Sequence, residues 1–365
     1  MTPGAAETVL AGAVLCGAWL GAAMAWSGFC TMGAVADLTL MGDGRRLRAW
    51  ILAAAMATAC HAAVLTVCSD SGFSSPRIDY AGPAALWARQ AIGGVMFGAG
   101  MTLAGGCVSR HLVRAGAGSG KAVVTLLVVG ITAWAMTATP LYLRLFAPWL
   151  DPLVLDLRRF GYPDQTLPTL VGFGAAMTRP TAGFGLAALL AVFALAGARL
   201  GRSRAQLAGG LAVGFGVGAG WWLTIGPVGQ AWTEGALFAA APPPGLGAQS
   251  FTFVAPLADL VRLVTRRDLA WFTFGAAGAG GVVAGAAGHA VVKGRFRLEW
   301  FAGAGDAARH AAGAVLMGAG GVLALGCTIG QGVTGISTLA AGSLVAVAAI
   351  VAGEIAVLKI ELART

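Results

Sequence analysis

The sequence predicts an all-α, polytopic integral membrane protein. About nine transmembrane helices form an inverted repeat, and four re-entrant loops or half-helices meet at a central pore. Three observations lead there. The 365 residues are 58% hydrophobic and only 11% charged, with a mean hydropathy of +0.79; soluble domains carry about a quarter charged residues. Long apolar stretches recur along the chain. A ten-residue glycine-and-cysteine motif occurs twice, 220 residues apart. This composition excludes water-soluble and nucleic-acid-binding classes, so the net charge of +9 is read as membrane orientation.

A helix crossing a bilayer needs roughly 20 apolar residues. Stretches near 8–26, 48–68, 84–104, 121–139, 181–198, 205–223, 270–292, 307–325 and 337–358 qualify. The N-terminus has Glu7 and no Lys or Arg before its first apolar run, unlike a cleaved signal, so residues 1–26 are kept in the fold. Segments 140–180 and 224–268 are broken by prolines, among them Pro140, Pro148, Pro152, Pro163, Pro168 and Pro180, then Pro242-Pro243-Pro244 and Pro256. Short apolar pieces there, such as Leu167–Met177, read as half-helices or surface helices.

Basic residues cluster in alternate short loops: Arg45, Arg46, Arg48; Arg110, Arg114, Lys121; Arg199, Arg202, Arg204; Lys293, Arg295, Arg297; Lys359 and Arg364. With nine spans all fall on one side, while the loop at 69–83 has Arg77 against Asp70 and Asp79. The expected topology is therefore a cell inner membrane protein with its N-terminus outside and its C-terminus cytoplasmic. The long segment 140–180 then lies outside despite its arginines, since long loops follow the rule weakly.

Gly98–Cys107 set over Gly318–Cys327 matches at seven of ten positions, and Phe29-Cys30 through Ala36-Asp37-Leu38 sets over Phe251-Thr252 through Ala258-Asp259-Leu260 at an offset of 222. The offset spans five helices, an odd number, so the copies should run in opposite senses. The expectation is one transmembrane transport domain, 1–365, with inverted repeats at about 1–139 and 205–358 joined by 140–204. In that plan substrate sits near the midplane between broken helices.

The chemistry-bearing residues lie at glycine-flanked bends: Ser27-Gly28-Phe29-Cys30, Gly105-Gly106-Cys107 and Gly326-Cys327-Thr328-Ile329-Gly330-Gln331-Gly332. Cysteine in a membrane helix often serves only as a small apolar residue. Three at equivalent bends argue for more. A thiol is a weak donor and a polarisable contact for sulfur or selenium, suited to passing on a soft anion without holding it. Thr252 puts a hydroxyl at the fourth bend. Cys16, Cys60 and Cys68 read as packing, His61 as a buried structural residue, and His289 and His310 as interfacial. Arg110, His111 and Arg114 form a positive cytoplasmic face that could draw in an anion or dock an acidic partner. Arg89 and Glu354 sit near span ends and are expected to snorkel. No Walker motif, CxxC pair or metal-ligand spacing is present, so no cofactor is called for.

These motifs resemble the YeeE/YedE family of sulfur-transport membrane proteins. The matching pieces are Phe29-Cys30; Gly105-Gly106-Cys107 with Arg114-Ala115-Gly116; and Met317-Gly318 leading to Gly326 through Gly332. One departure is Ser27-Gly28, where family members often carry an arginine. The resemblance implies an inner-membrane importer of thiosulfate, not an enzyme. It implies that Cys30, Cys107 and Cys327 hand the anion inward, and its motifs add Gly326, Thr328, Gly330, Gln331 and Arg114 to the substrate path beside Thr252. A cytoplasmic TusA-like sulfur carrier is the implied partner. The residues leave open a related sulfur or selenium species as substrate, a membrane thiol enzyme (a sulfurtransferase or disulfide-exchange protein), or a structural subunit.

Overall fold

A computed structural model describes residues 4–70, 78–172, 178–196, 200–237 and 242–363. Arg77, Arg199 and Arg364, used above for orientation, lie outside these residues, as do the side chains of Asp70 and Arg202 and the end of the Leu167–Met177 stretch.

The chain is almost entirely helical. Its first half contains α1 (Ala5–Ser27), α2 (Thr31–Met41), α3 (Arg45–Asp70), α4 (Trp87–Leu103), α5 (Val108–Gly116) and α6 (Gly120–Ala138). Short helices follow: α7 (Leu141–Leu145), α8 (Ala147–Leu150) and α9 (Leu167–Val171), then α10 (Arg179–Leu195). The second half contains α11 (Leu200–Ile225), α12 (Pro227–Leu237), α13 (Val254–Arg266), α14 (Phe274–Val292), α15 (Ala304–Leu323) and α16 (Ala341–Leu362). One two-stranded sheet pairs β1 (Ala84–Ala85) antiparallel with β2 (Leu155–Asp156), in the proline-broken region.

Every stretch expected to span contains a helix among its described residues. Among the described residues, seven helical segments are long and apolar enough to cross a membrane. They start at Ala5, Arg45, Trp87, Gly120, Arg204, Phe274 and Ala341. The two other expected spans differ for local reasons. α10 is apolar but has only 17 residues, and α15 opens on Asp306, Arg309 and His310. The protein is thus a multi-pass membrane protein. Leu127 and Ile131 on α6 and Leu189 and Val192 on α10 are exposed, which suits a hydrocarbon surround and would be costly in water.

Helix packing is paired. α1 packs on α14 and α3 on α11; α4 packs on α16 and α6 on α15; α2 packs on α16 and α13 on α6; α4 also meets α15, and α1 meets α11. These contacts need backbone-to-backbone approach, which small residues permit. A Cβ at Gly17 or Gly21 of α1 would run into the carbonyls of Gly278 and Val282, and one at Gly281 or Gly285 of α14 into those of Val14 and Ala18. At Gly98 of α4 it would meet Ile350 O and Glu354 N of α16.

Because the obstacle at Gly98 is backbone, Gly98→Leu should destabilise by at least the ~1–3 kcal/mol typical of overpacking. Gly185 of α10 meets nothing within 4 Å, so Gly185→Leu should be nearly neutral. Thermal unfolding of the purified variants in detergent checks the contrast; equal midpoints would refute this packing.

Candidate functional site

Three broken helices build the site. α4 ends at Leu103, and the Gly106 N–H donates to Met101 O at 2.8 Å. Gly105 between them is left-handed at φ 68°. The chain then extends through Cys107, which is the N-cap of α5. The α15 bend repeats this bond for bond. The Gly326 N–H donates to Gly321 O at 2.8 Å, and Leu325, at φ 59°, takes the place of Gly105. A leucine there is strained by roughly 1–2 kcal/mol. The first bend is simpler: Gly28 at φ 66° ends α1, and Cys30, extended at φ −160°, caps α2.

The two matched bends then diverge by one residue. After Cys107 the next left-handed residue is Gly118; after Cys327 it is Leu339, one position later in register. The extra residue is taken up by a π-helical turn, Gly330–Gly335, the usual way a helix absorbs an insertion.

All six cysteines are free thiols. Cys107 and Cys327 are fully buried and Cys30 is 8% exposed. Cys30 Sγ accepts the Gly33 N–H at 3.4 Å and Cys327 Sγ accepts the Gly330 N–H at 3.4 Å. Cys107 Sγ lies 3.2 Å from Ser109 Oγ and within reach of the Cys30 thiol and the Thr328 hydroxyl. Cys327 is within electrostatic reach of Cys107 and of Tyr80. Arg110 faces Cys30, and Arg46 Nη1 stands beside Gly33 at the same end.

A second group surrounds Cys327. A Cβ on Gly330 would lie 2.5 Å from Thr252 Oγ1 and 3.4 Å from Tyr80 Oη, so the bare glycine leaves room where these hydroxyls converge. Thr252 Oγ1 and Thr328 Oγ1 are buried; Thr252 stands near the Tyr80 hydroxyl and Thr328 near the Cys107 thiol, and among the described residues neither is satisfied by a bond of good geometry. Gln331 is a brace: its amide donates to Ala324 O at 2.5 Å and its N–H to Cys327 O at 2.7 Å, tying the strands of the bend together. Gly326 forms the bend itself.

Arg114 stands apart from the thiols. It pairs with Glu299 at 3.0 Å, as does Lys121 at 2.6 Å, beside a cavity of about 310 Å³ that also includes Arg295 and Arg297. Burial disfavours ionisation of Glu299, but Lys121, Arg114 and Ser119 outweigh it and hold the carboxyl down at about 2.

A family model described as sulphur transport matches residues 26–356. The chain belongs to the sulphur transport family. No curated protein matches it. The family match spans all three bends, so the thiols lie within the part of this sulphur transport protein that makes it a family member.

Several residues fall where the sequence did not put them. Glu354 does not snorkel: it is 0% exposed, on the α4 face of α16. His310 is buried within the protein, with Phe301 against its ring at 5.4 Å and His111 at 6.3 Å. Tyr80 was not anticipated; it sits in a polar turn whose nearness to Cys327 is purely tertiary. Cys60 packs against Gly218 and Cys68 donates to Ile225 O, as expected of packing residues, and His61 is buried against Trp221 at 4.7 Å.

The Glu299 clasp makes a pH prediction. A carboxyl held below its unfolded value of about 4.3 stabilises the fold at higher pH and loses that contribution as pH falls through about 2. Glu299 is partly exposed, so solvent screening limits the effect to about 1 kcal/mol or less. Glu299→Gln should lower the thermal midpoint at neutral pH. The gap to wild type should close as the pH drops below ~4; a pH-independent gap would mean the clasp is not electrostatic.

Proposed function

We propose that this sulphur transport protein imports thiosulfate, or a closely related soft sulfur anion, through a pore lined by Cys327, Cys107 and Cys30. The observation that carries the reading is the convergence of three buried free thiols with two buried hydroxyl oxygens, those of Thr252 and Thr328, that are not satisfied by a bond of good geometry. A buried donor left unpaired costs about 1–3 kcal/mol. A ligand that accepts from it removes that cost. The terminal sulfur of thiosulfate is a soft acceptor, and its oxygens are hard ones, which suits a path of alternating thiols and hydroxyls.

The residues order themselves into a path. Tyr80, Thr252 and Gly330 receive the anion at Cys327; Thr328 and Ser109 flank the step to Cys107; Cys30 passes it toward Arg110 and Arg46. Gln331 and Gly326 hold the Cys327 bend. With the N-terminus outside and the C-terminus in the cytoplasm of an inner-membrane protein, this order runs inward. The paired packing supports inverted repeats at about 1–139 and 205–358, because exchanging α1 with α11, α2 with α13, α3 with α14, α4 with α15 and α6 with α16 maps contacts onto contacts. In that reading nine helices span and the bends are re-entrant. Arg114, Arg295 and Arg297, around the cytoplasmic cavity, would receive an acidic TusA-like sulfur carrier.

The test is sulfur-limited growth and labelled-thiosulfate uptake by an uptake-deficient strain. Wild type should restore growth on thiosulfate. Cys107→Ala and Cys327→Ala should each cut uptake about tenfold or more, the equivalent of ~1.4 kcal/mol at one lost donor. Undiminished uptake in both variants would refute the thiol path. A persulfide on any of the three cysteines during turnover would instead favour a thiol enzyme.

A further inference from the structure

Glu354 has no part in the path above, yet it is the most anomalous side chain in the protein. It is fully buried on α16, and among the described residues neither carboxylate oxygen has a hydrogen-bond partner. It lies eight residues, or about 12 Å along the axis, before the end of α16 at Leu362. An unpaired carboxylate in an apolar interior is far costlier than the neutral acid, and a protein that needed only packing would place a leucine or glutamine here. Ionisable residues at such depth mark ion or proton pathways.

The surroundings narrow the role. α4 presents Gly94 and Gly98 to α16, and its one charged residue, Arg89, lies at the far end over the Tyr142 ring at 4.8 Å. The π-helical turn has no charged residue. α2 carries Asp37, which is already paired with Arg46 at 3.3 Å. Among the described residues, Cys107, at the head of α5, is within electrostatic reach of Glu354. Arg110 and His111 follow Cys107 on α5, and Arg110 faces Cys30.

We propose that Glu354 is a proton-binding site linked to the anion at Cys107, so that each anion moves inward with a proton. This rests on the anion-import reading above. A negative charge arriving at Cys107 disfavours the nearby carboxylate and favours the acid. By reciprocity the protonated form binds the anion more tightly. Glu354 takes its proton from the outer side before the anion enters, forming an O–H bond, and stays neutral while the anion is at Cys107. As the anion leaves, that bond breaks and the proton passes to cytoplasmic water. No electrons move. For one linked proton, anion affinity rises by up to about tenfold per unit fall in pH.

Two measurements on the full-length protein test this. The first is infrared titration of the purified protein, wild type against E354Q, following the carboxylic acid C=O band. The second is thiosulfate uptake into proteoliposomes containing a pH-sensitive dye. The expected result is a wild-type band that titrates with pH and is missing in E354Q, together with lumenal acidification during uptake. In E354Q the pH dependence of uptake should be flat and the acidification lost. A band that is absent, or that never titrates, overturns the proposal whether or not thiosulfate moves. A titrating band with thiosulfate uptake but no acidification overturns the coupling. A titrating band in a wild-type protein that moves no thiosulfate leaves the proton site standing and refutes the thiosulfate reading instead.

Discussion

The structure depends on how a helix can end inside an apolar interior. Every broken helix exposes N–H and C=O groups that lipid cannot satisfy. At α4 and α15 the same bond solves this: the N–H of Gly106 or Gly326 folds back to the carbonyl five residues earlier. That bond requires a left-handed residue immediately before it, which Gly105 accepts freely and Leu325 accepts under strain. The chain then leaves the bend extended, and the next residue becomes the head of a new helix. A small polar side chain there faces the turn it caps. At both positions that side chain is cysteine. The thiols are therefore buried because the backbone turns there.

The packing follows from the same economy of side chains. If α1 is to lie on α14 and α4 on α16 with backbones touching, glycine must recur on both faces of each contact, as at Gly17, Gly21, Gly281 and Gly285. Backbone contact fixes helix position more tightly than interdigitated leucines would, since there is no rotamer to relax. Rigidity of this kind keeps three thiols on three separate helices within reach of one another. It also leaves the one-residue mismatch between the matched bends nowhere to go except into the π-helical turn Gly330–Gly335, next to Cys327. That turn brings Gly330 under the Thr252 and Tyr80 hydroxyls.

How much of this was legible in the sequence divides along local and long-range lines. Hydropathy placed all nine helical stretches, because a membrane helix satisfies its backbone within itself and its signal is local. The glycine-flanked cysteines were legible as bends, because a left-handed residue has a short-range signature. What hydropathy could not rank was whether α15, with its charged first turn, crosses as α14 does. Tyr80 was invisible because it reaches Cys327 from a separate polar turn. Glu354 was misread because distance from a helix end was taken as distance from water, whereas α4 covers that face through Gly98. The π-helical turn was not legible, since the next left-handed positions, Gly118 and Leu339, differ by 221 and a left-handed leucine leaves no mark in the sequence.

The choice of thiols over cations in the proposed path has a physical logic that the rest of the molecule supports. The protein has many arginines and lysines, and among the described residues several are engaged: Arg114 and Lys121 with Glu299, Arg46 with Asp37, Arg179 with Asp164. Arg110, near Cys107, acts on Cys30 at electrostatic range, and among the described residues no ion pair places a cation against Cys327. A bare cation there would bind a divalent anion so strongly that release would limit transport. Neutral donors of modest strength, repeated at short intervals, lower the barrier without creating a trap. The cost is that a neutral path does not by itself repay moving two negative charges into a low-dielectric interior. A carboxyl that carries a proton while the anion passes offsets one of those charges, and Glu354 is within electrostatic reach of the middle thiol.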